Sequence, residues 1–272
     1  MKSSYNQIFN RNIGLITPDN QEKLKNSKVA VFGVGGLGGV IAEVLVRSGV
    51  GSIVLTDRDK YEASNLNRQV FAFSKTIGEY KVDAAEQFLK DINPELQVKK
   101  YLQITSANIS EIMHSADIVL LALDDVVPII IISRYARQHK VPLVEGWAIP
   151  FGNVRVFTEQ TPSLEEVYHL DNLDKDPELI TPDENKALNI KMLYELKKIK
   201  GIEGYYSEEA LQRIQKGQVP SFAPMVWLTA VLMSFEAIKV LLHQGRIAYA
   251  PGFALYDPFN HEQLHKYQNE NY

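Results

Sequence analysis

The run Gly33-Val34-Gly35-Gly36-Leu37-Gly38 has the spacing GxGxxG, and that spacing suits the holding of phosphate. Glycines at Gly33, Gly35, Gly36 and Gly38 permit a tight turn and bring backbone amides close to a phosphate that faces a helix N-terminus. Asp57 follows Gly38 by 19 residues, at a position where a carboxylate can hold ribose hydroxyls. These two features serve NAD and ATP alike. What comes after Asp57 separates them. The segment Asp57-Arg58-Asp59-Lys60-Tyr61-Glu62-Ala63-Ser64-Asn65-Leu66-Asn67-Arg68-Gln69 gathers polar groups just past a strand end. A nicotinamide dinucleotide needs one acidic group there and leaves its pyrophosphate to glycine amides. A triphosphate with its metal asks for cations and amides for the extra charge, and a carboxylate for the metal. Asn65, Arg68 and Lys81 can supply the first, with Ser64 and Gln69 beside them; Asp124 or Asp125 can supply the second. Asp59 either reaches a phosphate-linked metal or shapes the turn, and Asp125 is open to a second use as a helix cap.

Such groups converge only if the elements behind them form a sheet. Lys28 to Gly33 is a short apolar run ending in glycine, and it reads as a buried parallel strand. A helix over Val40 to Ser48, a break at Gly49-Val50-Gly51 and a strand over Ser52 to Thr56 complete a βαβ unit. The alternation continues with helices over Lys81 to Leu89, Ile109 to His114 and Pro128 to His139. Strands are expected over Gln97 to Tyr101, Ile118 to Leu123 and around Leu143-Val144. Asp124 then falls at the carboxyl edge of the sheet, where ligands bind in such folds. The expected class is α/β: a Rossmann-like, mostly parallel sheet flanked by helices, with a partly helical insertion before a C-terminal core helix.

Four regions follow from this pattern. Residues 1–27 form an N-terminal arm and helix, with Asp19 as the cap and Pro18 as an upstream stop. Residues 28–160 form the Rossmann-like part. Residues 161–220, rich in charge and loop formers, form a substrate-contacting insertion with helices near Lys186 to Lys198 and Ser207 to Gln215. Residues 221–272 return to the same domain, with a helix over Pro224 to His243 and a strand over Phe253 to Tyr256. His261 and His265 have i,i+4 spacing and read as a solvated helix face rather than a metal pair.

Taken together, GVGGLGG, LTDRDKYEASNLNRQ, the Lys81 helix and LALDD resemble the ThiF/MoeB/HesA superfamily, bacterial relatives of the ubiquitin-activating enzymes. The similarity resumes at Phe222-Ala-Pro-Met225, Glu236-Ala-Ile-Lys239 and Leu255-Tyr-Asp257. The resemblance implies that Gly36 and its neighbours line ATP, Asp57 binds ribose, and Asn65, Arg68 and Lys81 contact the triphosphate. It implies magnesium on Asp124, with Asp125 standing where many relatives have asparagine. Arg11 matches an N-terminal arginine that reaches ATP from a partner subunit, which implies a homodimer with composite active sites. The implied chemistry is attack of a substrate carboxylate on the α-phosphate, giving an acyl-adenylate and pyrophosphate. A peptide or a small ubiquitin-like carrier protein would supply that carboxylate.

The chain departs from the pattern in three ways. It has no cysteine among its 272 residues, so no enzyme thioester, disulfide or thiolate metal site is available. Where many relatives place the first of two zinc CxxC pairs, this chain has Thr161-Pro162-Ser163-Leu164-Glu165-Glu166, so no zinc site is expected. The insertion has no counterpart in the resemblance.

Bulk properties narrow the remaining choices. A net charge of −4 argues against general affinity for nucleic acid. Glu236 and Lys239 interrupt the apolar run from Ala223 to Leu242 and argue against a membrane span. The N-terminus lacks an apolar signal core, which makes a cytoplasmic location the expectation. Three other readings compete: a non-catalytic scaffold partner of an activating enzyme, an enzyme that cyclises threonylcarbamoyl-adenosine on tRNA, and an NAD-dependent oxidoreductase.

Overall fold

A computed structural model describes residues 4–148, 152–170, 174–197, 208–215 and 220–266. At the N-terminus, α1 (Tyr5–Phe9) is closed by a capping box from Ser4, and α2 spans Pro18–Asn26. Thr17, not Asp19, caps α2: its side chain accepts from the Asn20 amide at 3.2 Å. Pro18 starts the helix instead of stopping it, because the first helical position has no use for an amide hydrogen.

The βαβ unit consists of β1 (Lys28–Phe32), α3 (Gly36–Arg47) and β2 (Ser52–Thr56). It continues through α4 (Lys81–Ile92), β3 (Gln97–Tyr101), α5 (Ile109–Ile112), β4 (Ile118–Leu121), α6 (Val126–Gln138) and β5 (Leu143–Trp147). Strands β1, β2 and β4 are rich in Val, Ile and Leu because both of their faces are covered. Then come β6 (Gly152–Phe157), α7 (Leu164–Val167), α8 (Pro182–Lys197), α9 (Glu208–Gln215), α10 (Ala223–Leu242), β7 (Phe253–Asp257) and β8 (Glu262–Lys266).

Among the described residues, eight strands form one sheet in the order β3-β2-β1-β4-β5-β6-β7-β8. Pairing is parallel from β3 through β5 and antiparallel from β5 to β8. Strand order reverses between β1 and β4, which opens a crevice at their carboxyl ends. One core lies between the sheet and α3, α4 and α10; the other lies under α5 and α6. Leu164, Tyr168, Leu170 and Met192 of the segment after β6 join the second core. Gly146 of β5 and Gly152 of β6 leave room for α10: an added Cβ would lie 2.6 Å from Met233 and 2.7 Å from Leu232, respectively.

The histidine pair reads differently in three dimensions. His261 has φ +56° in the turn before β8, and His265 lies opposite Ala254 within the β7–β8 hairpin. They do not share a helix face. The short polar strand that contains His265 takes its conformation from its neighbour's backbone, which periodicity does not reveal.

Candidate functional site

The glycine loop is built by close contact. Gly33 has φ +89°, and a Cβ there would lie 2.3 Å from the Ala122 carbonyl oxygen. A Cβ on Gly38 would lie 1.7 Å from the Gly33 carbonyl oxygen. Backbone blocks both positions, so they have no room for a side chain. The other two glycines face side chains instead of backbone. Gly35 is 3.7 Å, measured from an ideal Cβ, from Gln69 Nε2, and Gly36 is 3.6 Å from Arg68 Cγ and 2.9 Å from Val226. No side chain caps α3, which starts directly after Gly35, so its first amides point into the crevice.

Asp57, at the end of β2, ties this loop down. Its Oδ2 accepts from the Val34 amide at 2.7 Å and its Oδ1 from the Asp59 amide at 2.9 Å. Lys81, at the first turn of α4, sets Nζ 3.9 Å from Asp57 Oδ2 and 2.9 Å from Asp59 Oδ2. Lys81 is buried, whereas the Asp59 side chain is largely open to solvent. Burial pushes the Asp57 carboxyl above the ordinary carboxylate range, while the Lys81 charge and the two amides oppose that shift.

The polar turn after Asp57 folds onto itself. Asn65 Oδ1 accepts from the Glu62 amide at 3.1 Å, and its Nδ2 lies 3.4 Å from Ser64 Oγ. Arg68 donates from one terminal nitrogen to the Ser64 carbonyl at 3.0 Å and to Asn67 Oδ1 at 2.8 Å. Trp227, near the start of α10, donates to the Arg68 carbonyl at 2.8 Å. Gln69 is buried, and its Oε1 has no hydrogen-bond partner. The structure therefore brings Gly35, Gly36, Arg68 and Gln69 together, and Asp57, Asp59 and Lys81 beside them. The contribution of Val226 and Trp227 is not visible in the local pattern, because they belong to an apolar run that reads as core.

Asp124 and Asp125 lie past the end of β4. Asp124 is exposed. Asp125 occupies the N-cap position of α6, yet its side chain makes no capping bond. Instead it accepts from Asn185 Nδ2 of α8 at 3.1 Å and lies 3.8 Å from the Arg58 guanidinium. Hard carboxylate oxygens of this kind suit magnesium, which takes one or two carboxylates together with phosphate oxygens. Among the described residues there is no group of three His, Cys, Asp or Glu that would cage a metal by itself.

Arg11 stands apart from the rest. It is exposed in a single 3-10 turn, and the adjacent Asn12 bonds the Ser48 carbonyl at 3.3 Å. Ser48 follows the far end of α3, so Arg11 lies about 18 Å along that helix from the glycine loop of its own chain.

The model of the ThiF family matches residues 9–271. Molybdopterin-synthase adenylyltransferase from Haemophilus influenzae is 36% identical over 244 residues, covering 88% of this chain and 85% of that protein. The tRNA threonylcarbamoyladenosine dehydratase of Bacillus subtilis is 50% identical over 90 residues, which is 33% of this chain and 35% of that protein. Among solved structures, E. coli MccB with ATP superposes with a TM-score of 0.68 at 19% identity, over 98% of this chain and 73% of that one.

Proposed function

This chain belongs to the ThiF family, and from that premise we propose that it uses ATP to adenylate the terminal carboxylate of a peptide or small carrier protein. The observation that carries the reading is the layer of Arg68 and Gln69 against Gly35 and Gly36, with Lys81 held beside Asp57. A dinucleotide's pyrophosphate needs the glycine amides; these added cations and amides answer a triphosphate.

In the proposed reaction a carboxylate oxygen attacks the α-phosphorus. The bond from that phosphorus to the oxygen bridging the β-phosphate breaks, and pyrophosphate leaves with that electron pair. The nucleophile already carries its charge, so no general base is required. The protein contributes position and charge neutralisation. The α3 amides and glycine loop hold the phosphates, and Asp57 keeps lone pairs free for ribose hydroxyls. Arg68 and Lys81 neutralise phosphate charge, with Asn65 and Ser64 at the edge of the same surface. Asp124 would hold magnesium, which supplies a Lewis acid for the leaving pyrophosphate. Arg11 of a second copy would complete the site, since its own chain places it far away. The segment 161–220 would cover the substrate, and the reaction would run in the cytoplasm. With no cysteine in the sequence, the acyl group would pass from the adenylate directly to an external acceptor.

The test is exchange of labelled pyrophosphate into ATP, driven by candidate carboxylates. Exchange that requires both a carboxylate and Arg68 supports the reading, and ATP binding without exchange from any carboxylate overturns it in favour of a scaffold subunit. The B. subtilis relative acts, by its name, on a threonylcarbamoyl-adenosine in tRNA, and its 50% identity supports a second reading in which that nucleoside supplies the carboxylate. Modified tRNA in the same assay separates the two. Stabilisation by NADH but not ATP would move the chain to redox chemistry.

A further inference from the structure

Arg68 is the cation that the proposed reaction sets against the phosphates, and it stands on a solvent-facing turn. Ser64, Leu66 and Asn67 of that turn are exposed. An arginine side chain has many rotamers to lose when it binds. Its guanidinium rests on the Ser64 carbonyl and on Asn67 Oδ1, two neutral acceptors that a charged phosphate oxygen can replace. The side chain is therefore free to change partner, and its aim depends on how firmly its backbone is held.

That hold comes from outside the turn, at the start of α10. Trp227 Nε1 donates to the Arg68 carbonyl at 2.8 Å, and Asn67 Nδ2 donates to the Ser221 carbonyl at 3.1 Å. Val226 and the Arg68 stem converge over Gly36, where an added Cβ would lie 2.9 Å from the valine and 3.6 Å from Arg68 Cγ. The helix behind these contacts is well seated. Val226, Ala230, Met233 and Ala237 are all buried, at the spacing of one helix face. Trp227 is one position off that stripe and is 43% exposed. Its ring therefore does little for the core, while its N–H reaches a carbonyl of another element.

We infer that Trp227 is a positioning residue for Arg68, with the tie from Asn67 to Ser221 as its second support. A bond to the arginine's own carbonyl fixes the point from which the side chain reaches out, and it leaves the guanidinium free to exchange Ser64 and Asn67 for phosphate oxygens. Guanidinium–phosphate bonds are directional, so an origin displaced by about 1 Å loses much of their strength. The same contacts set Arg68 against Gly36, the first residue of α3. The cation and the helix amides thus keep a fixed separation, and a phosphate meets both at once. This inference rests on the ATP-binding part of the adenylation reading and adds the residue that holds its cation in place.

The experiment is calorimetric titration of the full chain with ATP and with AMP, for the wild type, Trp227→Phe and Asn67→Ala. Trp227→Phe keeps an aromatic ring and removes the N–H. The expected result is a Kd for ATP raised about fivefold in Trp227→Phe and about twofold in the more exposed Asn67→Ala. AMP, with fewer phosphate charges for Arg68 to meet, is expected to lose clearly less than ATP in each variant. A merely structural role for the indole would weaken both nucleotides alike, so equal losses of AMP and ATP overturn the inference. Unchanged ATP binding in both folded variants also overturns it. Should Trp227→Phe fail to fold, the loss of ATP relative to AMP in Asn67→Ala decides the matter. A wild type that binds neither nucleotide overturns the ATP reading and the inference together. The readout is binding, so an ATP-binding protein that activates no carboxylate overturns adenylation alone.

Discussion

The two halves of the sheet hold their buried charges by different means. At the carboxyl ends of β1 and β2 the Asp57 carboxylate is tied to backbone amides, Lys81 lies between two acids, and glycines hold the loop by contact with carbonyls. At β5 and β6 the buried carboxylate of Glu145 is held by side chains instead: it accepts from the Tyr168 hydroxyl at 2.8 Å and lies 3.6 Å from Arg155 Nε. The first half fixes its charged groups with backbone amides and a lysine, and still leaves Thr56 Oγ1, Tyr61 OH and Gln69 Oε1 buried without a partner. The second pairs the buried Glu145 carboxylate with an arginine and a tyrosine from neighbouring elements. Nucleotide recognition can be built from backbone geometry, because phosphate and ribose are the same in every substrate complex.

The largest expected break in this comparison comes from Gly38→Ala. Its Cβ would overlap the Gly33 carbonyl, and the fold should lose about 3 kcal/mol or more in chemical denaturation. Gly35→Ala, whose nearest neighbour is 3.7 Å away, should cost only about 1 kcal/mol as a lost helix-capping glycine. Equal costs at the two positions would mean that the loop is not held by carbonyl contact.

Next in size is the response to nucleotide. ATP at a hundred times its dissociation constant should stabilise the wild type by about 2.7 kcal/mol, and Arg68→Ala or Lys81→Met should abolish that shift in a thermal melt. Asn153→Leu, in the other half, should leave it intact. If Asn153→Leu also erases the ATP response, the two halves do not act independently.

A smaller effect concerns pH. The folded-state pKa of Asp57 is raised from 3.8, chiefly by burial, so the native state holds its proton more tightly than the unfolded chain does. The stabilising contribution of the protonated form is therefore full below 3.8 and is lost as pH rises through the raised value. Lys81→Met removes the main opposing charge and should extend that loss to higher pH. Stability curves of the two proteins that run parallel across this range would show that Lys81 does not act on Asp57. The smallest effect sharpens the picture of the insertion. Glu184, near the start of α8, is held at about 2 by Lys175 Nζ and by the Thr181 amide and hydroxyl. Its contribution is full above the ordinary 4.5 and is lost as pH falls through about 2. A side-chain carboxyl titration by NMR reads this directly, and a midpoint near 4.5 would show that the Lys175 contact does not persist in solution.

The legibility of the sequence follows the same division. The β1–α3–β2 unit, Asp57 and the polar turn are local patterns; α9 falls close to the expected helix, whereas α8 begins at Pro182, four residues before the expected start. The strand β6 is a different case. Asn153 and Arg155 alternate with Gly152, Val154 and Val156 as they would in a half-solvated strand, yet all five are buried. Tyr168, from the segment that follows, closes over the polar face, and no local periodicity records that cover. The partner of Asp125 was hidden for the same reason. A carboxylate ahead of a helix suggests a cap, and only the tertiary approach of α8 shows that Asn185 takes its place.

The pairing of Lys81 with Asp59 has a last consequence. Asp59 acts as a resident counterion, so a phosphate that takes over Lys81 exchanges one anion for another instead of stripping an ion from solution. Each such exchange removes one small-ion release from the binding equilibrium. Nucleotide affinity should therefore weaken less steeply with added salt than the count of basic side chains around the glycine loop implies, and Asp59→Asn should steepen that dependence.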